Sequence, residues 1–556
     1  MSTVITLNLL LYYLSNEKLT SLMVRVAIFI MNFKIGDEKI AMKNLNKKLL
    51  MSPFAFPTDL AVQAFPSHLP ERVIQFGEGN FLRAFVDWMF HQLNKQGLFN
   101  GRVVALSPRG GGAKTIAKLN EQDGLYTVLL RGLQDGKLTE QQEIISSVSR
   151  GINPYTDWQA YLKCAENPDI EFVVSNTTEA GITYNSTDRA DMEPPASFPG
   201  KLTIYLYHRF QYFNGEPSKG MVILPCELIH RNGDKLKSII LQFADDWNLS
   251  PAFKLWVNNH NYFLNTLVDR VVTGYPQDEI DNVKARLGYN DDLLIAGEIF
   301  YLFVIEGPET LAKRLPFNEV GLNVIWTNDM APYLTRKVRI LNGAHSASVP
   351  AAFLCGLETV GEMMDHEAMG RYVREIIRDE IIPSIDLDKG MLNEFADAVI
   401  ERFKNPFIHH QLLSILLNSS SKFKVRIVPS ILEYQQLNGK LPDKLTFSLA
   451  TLIAVYKDGK VVGTSMQARR DKGEFVMHDD VCVLEFFAKV WCQADVSRDG
   501  LLAVVKTVLE NAEIWGQDLN QVQGLTEKTA DYLYQIVTDG PQTTIARLLG
   551  DTICQH

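Results

Sequence analysis

Arg72-Val73-Ile74-Gln75-Phe76-Gly77-Glu78-Gly79-Asn80-Phe81-Leu82-Arg83 is the stretch whose reading decides the fold. A short apolar strand ends at Phe76 and runs into Gly-x-Gly, after which Phe81, Phe85, Trp88, Met89 and Leu93 recur at helical spacing. Strand, tight turn and helix in that order suit the phosphates of a dinucleotide. Gly77 permits the turn, Gly79 lets backbone approach a pyrophosphate, and the helix N-terminus offers free N–H groups. Leu82 stands where a third glycine is usual, and the guanidinium of Arg83 could pair with a phosphate from the first turn. Phe76, Gly77, Gly79, Asn80, Phe81 and Arg83 are therefore candidate cofactor-binding residues; a glycine turn with a purely structural role is the other reading of the same pattern.

Working outward, the next strand, Arg102–Leu106, lies where an acidic side chain normally holds an adenosine ribose. It ends instead in Ser107-Pro108-Arg109 and Gly110-Gly111-Gly112, with no carboxylate at its tip, a chemistry that tolerates a 2′-phosphate. A hairpin is expected over 125–132 and 141–148 around Asp135-Gly136. Helices near 155–165, 201–213 and 234–247 then alternate with strands over 170–175 and 221–225, the pattern of a mostly parallel sheet covered on both faces. Loops after its strands, Asn176-Thr177-Thr178-Glu179 and Cys226-Glu227-Leu228, should face the ligand crevice. Strand-like stretches at 299–305 and 322–326 close this half, and from Ala331 the apolar spacing is helical throughout. The expected class is α/β: a Rossmann-like, doubly wound domain over 66–328 and a mainly α-helical domain over 329–556, preceded by an extension, 1–65, that reads as weakly ordered or as an over-long start with translation beginning at Met42 or Met51.

The domain junction holds Thr335-Arg336-Lys337-Val338-Arg339-Ile340-Leu341-Asn342-Gly343-Ala344-His345. On a regular helix Lys337, His345 and Asn342 fall at roughly 0°, 80° and 140°, on one side. An amine, an amide and an imidazole there could accept a proton, polarise a carbonyl and clamp a substrate. The other reading is a solvated polar face with one satisfied histidine. A lysine serves as a base only when its pKa is drawn down from about 10.4, as burial at a domain junction would do.

Composition narrows the function classes. A net charge of −10 and a pI near 5.7, without a long basic run, argue against a sequence-independent grip on nucleic acid or an anionic membrane. The six cysteines are far apart with no Cys-x-x-Cys, so neither a disulfide framework nor a cysteine zinc site is indicated, and the one histidine pair, His409-His410, points its rings in different directions, which argues against a metal site. The apolar runs at 9–14 and 22–33 fall short of a membrane span.

Gly77-Glu78-Gly79-Asn80-Phe81-Leu82-Arg83 together with Lys337-x4-Asn342-x2-His345 resembles the polyol-specific long-chain dehydrogenase/reductase family, which includes mannitol dehydrogenase, over residues 68–550. Gln122-Asp123-Gly124-Leu125-Tyr126, Ser175-Asn176-Thr177-Thr178-Glu179-Ala180-Gly181, Pro225-Cys226-Glu227-Leu228-Ile229 and Asn342-Gly343-Ala344-His345 are similar to its hexuronate branch. The resemblance implies a cytoplasmic, NAD-dependent oxidoreductase that interconverts D-tagaturonate and D-altronate, a sugar acid pair of galacturonate breakdown, without a metal. It implies Lys337 as general base, Asn342 in an oxyanion hole and His345 orienting substrate. Where mannitol dehydrogenases have Cys-Asp-Asn, this chain has Cys226-Glu227-Leu228; the second oxyanion donor is lost unless a neighbour such as Asn176 substitutes. Arg426, in the basic cluster Ser421-Lys422-Phe423-Lys424-Val425-Arg426, is the candidate for the substrate carboxylate, with a solvated charged face as the other reading. A fructuronate reductase, a mannitol-type polyol dehydrogenase and a nucleotide-binding sensor are the alternative functions.

Overall fold

Alternation along the strands decides how the sheet is covered. Val73, Val103, Ala105, Phe172, Val174, Val222 and Leu224 fall into one core, while Ile74, Phe76, Val104, Leu106, Val173 and Ile223 fall into another. Successive side chains on a strand point to opposite faces, so these are the two sides of one sheet. In the computed structural model, which describes residues 42–63, 66–178 and 180–551, that sheet has six strands. Their order is Tyr262–Phe263, Val222–Pro225, Phe172–Ser175, Glu71–Phe76, Arg102–Leu106 and Val148–Ile152, and every neighbouring pair is parallel. Helices Trp158–Ala165, Phe198–Tyr212, Asn232–Asp246 and Pro251–His260 cover one face. The other face takes helix Val86–Lys95 and a small sheet of Asn265–Asp269, Leu302–Glu306 and Val324–Thr327. The chain leaves Glu71–Phe76 toward Arg102–Leu106 and returns to Phe172–Ser175 on its other side. At that reversal the carboxyl ends of the strands part and leave a crevice.

The doubly wound α/β reading holds, with local differences. The hairpin pairs Tyr126–Gln134 with Lys137–Ile145 around Asp135 and Gly136, whose φ values of 53° and 71° suit a two-residue turn. Val148 belongs not to that hairpin but to the edge strand of the parallel sheet. The helix after the glycines is broken into Asn80–Arg83 and Val86–Lys95, because Phe85 leaves helical geometry (φ −127°, ψ −84°).

Residues 42–63 are not a loose extension; the rest of the expected extension, 1–41 with Ala64 and Phe65, lies outside the described residues. Lys43–Asn44 pairs with Tyr289–Asn290, Leu60–Ala61 pairs with Gln142–Glu143, and Asn46 caps helix Lys47–Leu50 through the Leu49 N–H. Leu45, Leu49 and Leu60 are buried against Leu125, Leu129 and Tyr289. Apolar burial explains the order: these leucines close a core that the hairpin leaves open.

Beyond Ala331 the structure is mainly helical, built around Asp443–Val455, where every residue from Leu445 to Val455 is buried. Its interior hydroxyls on Thr446, Ser448 and Thr451 donate to carbonyls of the same helix or its cap, which makes all-round burial tolerable. The unbroken run of helices expected from spacing is interrupted by a three-stranded antiparallel sheet, Lys460–Val462, Ser465–Arg470 and Gly473–Met477. If residues 42–63 belong to the core, Leu45→Ala should lower stability to urea by about 2–5 kcal/mol, the usual cost of emptying a buried leucine site. A loss under about 0.5 kcal/mol, as at an exposed position, would contradict that packing.

Candidate active site

The glycine loop is shaped by what stands over it. Gly77 has φ +133°, and a Cβ there would lie 2.9 Å from the Asn176 carbonyl oxygen, so only glycine fits. A Cβ on Gly79 would meet nothing within 4 Å, which leaves its backbone open to a ligand. A cavity of about 480 Å³ lies along this loop, lined by Gly77, Glu78, Gly79, Pro108, Arg109, Gly112 and Asn176 among others. Bare backbone at a strand–helix turn and a cleft at the sheet reversal fit a dinucleotide.

Other expected cofactor contacts are redistributed. Arg83 does not face the cavity: its Nε donates to the Glu78 carbonyl, Nη1 to the Leu293 carbonyl at 2.8 Å and Nη2 to Asn80 Oδ1 at 2.9 Å, with the Tyr126 ring beneath. It fastens the loop from inside. Phe76 is buried against Tyr161 and Phe198, and only its carbonyl reaches the site, accepting from Asn176 N. Asn80 is exposed, and Phe81 turns toward a second cavity. Nor is the tip of Arg102–Leu106 without a carboxylate. Glu78 reaches across from the loop to within 3.2 Å of Ser107 Oγ. Burial pushes the Glu78 pKa up, against the Ser107 hydrogen bond and the charges of Arg109 and Arg83.

The second cavity, about 390 Å³, shares Asn176 and Thr178 with the first and is lined by Phe81, Glu227, Leu228, Val268, Asp269, Arg270 and Lys337. Lys337 is 9% exposed; its Nζ donates to the Val268 carbonyl at 2.8 Å and lies 3.9 Å from Asp269 Oδ1. Arg402 grips Asp269 with Nη1 at 2.9 Å and Nη2 at 3.0 Å, and holds Glu298 through Nε at 3.0 Å and Nη2 at 2.7 Å. The side chains of Arg402, Asp269 and Glu298 are 7%, 8% and 1% exposed, so little water screens them. Burial lowers the Lys337 pKa, and Arg402 and Arg426 lower it too, while Asp269 and Glu298 oppose them. Asp269 is kept below the ordinary carboxylate value because Arg402 and Lys337 outweigh its burial.

Lys337 to Asn342 do not form a regular helix. They are a π-helical segment between Ala331–Arg336 and Gly343–Leu354. Backbone bonds there span five residues instead of four, a wider turn that brings Asn342 nearer to the side of Lys337 than the roughly 140° of a regular helix. Neither cavity wall includes Asn342. His345 stacks on Phe403 at 4.1 Å and lines a small void, about 40 Å³, with Glu298, Arg402 and His410. Its Nε2 is shielded and has no hydrogen-bond partner among the described residues, and burial holds its pKa well below the usual histidine value, with His410 and Arg402 adding to the effect. Arg426 donates to Ser346 Oγ, one residue past His345, and pairs with no carboxylate among the described residues. Lys422 stands one turn before it, its Nζ bonded to the Ile415 carbonyl.

Leu228, which is 60% exposed and lines the same cavity as Lys337, can donate nothing from its side chain. Asn176 Nδ2 gives one N–H to the Cys226 carbonyl at 2.7 Å, and among the described residues its other N–H has no acceptor. Glu227 ties the two loops together, accepting from Ser175 Oγ, Thr177 N and Thr177 Oγ1. Glu179 lies outside the described residues.

Two family models match: the mannitol dehydrogenase Rossmann domain over residues 71–319 and the mannitol dehydrogenase C-terminal domain over residues 329–537. The chain belongs to the mannitol dehydrogenase family. It is 46% identical over 476 residues to the altronate oxidoreductase of Bacillus subtilis, covering 86% of this chain and 95% of that one. Among solved structures, a D-sorbitol dehydrogenase aligns with TM-score 0.74 and 20% identity over 90% of this chain and 100% of its own. Pseudomonas fluorescens mannitol 2-dehydrogenase, in ternary complex with NAD and D-mannitol, aligns with TM-score 0.66 and 20% identity over 92% of this chain and 100% of its own.

In this mannitol dehydrogenase family member, the residues that sequence reasoning missed are Asp269, Glu298, Arg402 and Glu78. Arg402 had a readable signal: it sits in helix Lys389–Phe403 beside Val399 and Phe403 on the buried side, where a lone cation needs a partner. Because Asp269 favours the charged amine, Asp269→Asn should lower the Lys337 pKa further. The pH dependence of Lys337 carbamylation, followed by mass spectrometry, should have a midpoint below about 10.4 in the wild type and lower still in the variant. A midpoint that stays put or rises would contradict the electrostatic arrangement.

Proposed function

We propose that this enzyme interconverts D-tagaturonate and D-altronate with NAD as coenzyme and Lys337 as general acid/base. One observation carries the reading: a shielded amine with a depressed pKa stands at the far end of a cleft that begins at a dinucleotide-type glycine loop. Kinship with proteins named altronate oxidoreductase supports the substrate. The coenzyme, when bound in its reduced form, supplies the hydride.

The protein's own part is proton transfer and charge. As the ketone carbon takes the hydride, its oxygen gains negative charge, and the ammonium of Lys337 gives that oxygen a proton. In the reverse direction the neutral amine removes the hydroxyl proton, so a lowered pKa serves oxidation and an anionic Asp269 beside it serves reduction. Asn342, at the end of the π-helical segment that Lys337 begins, is assigned to the oxyanion, with the other N–H of Asn176 as second donor in place of Leu228. The orphan Nε2 of His345 is assigned to a substrate hydroxyl. Arg426 is assigned to the carboxylate, for which a guanidinium lacking an acidic partner is the natural match. The expected domain division, with the site between a dinucleotide-binding half and a helical half, and the cytoplasmic location belong to the same proposal.

NADH oxidation with tagaturonate, fructuronate and fructose in parallel tests the substrate: tagaturonate should be fastest. A preference for fructuronate or fructose would mean a related reductase, and NADH binding without turnover would mean a sensor. Lys337→Ala should cut turnover by about 10² to 10⁴-fold while NADH still binds; a loss under tenfold at every pH would remove Lys337 from the chemistry. Arg426→Gln should raise KM for tagaturonate far more than for an uncharged ketose, and equal effects would place the carboxylate elsewhere.

A further inference from the structure

The carboxylate that a dinucleotide-binding sheet usually carries on its second strand accepts hydrogen bonds from the adenosine ribose and, by its charge, turns away a 2′-phosphate. Here that strand ends in Leu106 and continues as Ser107-Pro108-Arg109, which offers the opposite charge. Yet the space beyond its tip holds a carboxylate. Glu78, between the two loop glycines, points across the crevice, and its Oε1 stands 3.2 Å from Ser107 Oγ. The room for it is reserved: a Cβ on Gly112 would lie 2.0 Å from both Glu78 Oε1 and Ser107 Oγ. The Ser107 hydroxyl also lies 2.6 Å from the Arg109 carbonyl, so its one proton is shared between that carbonyl and Glu78, and the carboxylate keeps acceptor capacity toward the cavity. Glu78 and Arg109 line the same cavity as Gly77 and Gly79.

We infer that Glu78 selects the coenzyme: it accepts from the ribose 2′-hydroxyl and excludes NADP by repelling a 2′-phosphate, so that the glycine loop itself supplies the acid missing from the second strand. The inference rests on the NAD reading above. It also removes the tolerance of NADP that Arg109 suggested, because any phosphate near Arg109 would also lie near Glu78. In Glu78→Gln the neutral amide keeps a contact to Ser107 but loses the charge, and Arg109 is then unopposed.

The test is equilibrium binding, read by nicotinamide fluorescence and by calorimetry. Wild-type protein should bind NADH at least about tenfold more tightly than NADPH, and 2′-deoxy-NADH about tenfold more weakly than NADH, the loss expected of one hydrogen bond to a charged acceptor. Glu78→Gln should shrink the NADH preference at least about tenfold, chiefly through tighter NADPH binding, and adding Arg109→Gln should take that gain away. An unchanged preference in Glu78→Gln, or equal wild-type affinity for NADH and 2′-deoxy-NADH, would overturn the role of Glu78 while leaving the NAD reading intact. Binding of neither NADH nor NADPH would overturn both. The 2′-deoxy comparison needs only wild-type protein, so equal affinities would overturn the role of Glu78 even if Glu78→Gln fails to fold.

Discussion

Arg402 cannot be held away from water alone. The cost of burying one uncompensated charge is several kcal/mol, and the fold meets it by bringing Asp269 from the end of one strand and Glu298 from the end of another onto the same guanidinium. The rest of the site follows from that contact. It joins helix Lys389–Phe403 to strands Asn265–Asp269 and Ile295–Glu298, so the helical region is fixed against the sheets at the point where Lys337 enters the cavity. Lys337 is the fourth charge, tied through Asp269 and the Val268 carbonyl, and two cations against two anions leave the group formally neutral. Its reactivity is therefore set by a balance: burial strips the proton away while Asp269 holds it on.

A second constraint acts along the chain. The helix widens between Lys337 and Asn342, which turns Asn342 toward the side of Lys337 relative to a regular helix. The residue types were legible in the sequence; the structure sets Lys337 on the larger cavity and His345 on a separate small void. The widening was not legible, because hydrogen-bond register in a helix is chosen by tertiary packing and has no residue signature here. Such π-helical segments recur at functional sites, where the extra residue re-aims side chains.

How much of the remainder could be read depends on distance along the chain. Strand, turn and helix around Gly77 are local, and alternation in Val73-Ile74 and Val103-Val104 assigns each residue to a face of the sheet, so the doubly wound architecture was legible. Partnerships across many residues were not. Arg83 reads as a phosphate ligand by its place in the first turn, but its acceptors include the Leu293 carbonyl, far downstream. Glu78 reads as a filler between glycines until Ser107 is seen beside it. Leu45, Leu49 and Leu60 look like a loose leader because the surface they cover is built much later, by Tyr289 among others.

The central claim, that the amine of Lys337 moves the proton in a site poised by buried charge, is tested most directly by chemical rescue. In Lys337→Ala the missing amine leaves space in a cavity already about 390 Å³ in volume, and small primary amines can be supplied from solution while NAD reduction by altronate is followed. Turnover should return in proportion to amine concentration and, at fixed pH, should follow the free-base fraction of amines of different pKa, as general base catalysis requires. No return of turnover with any small amine, in a variant that still binds NADH and altronate, would contradict the account.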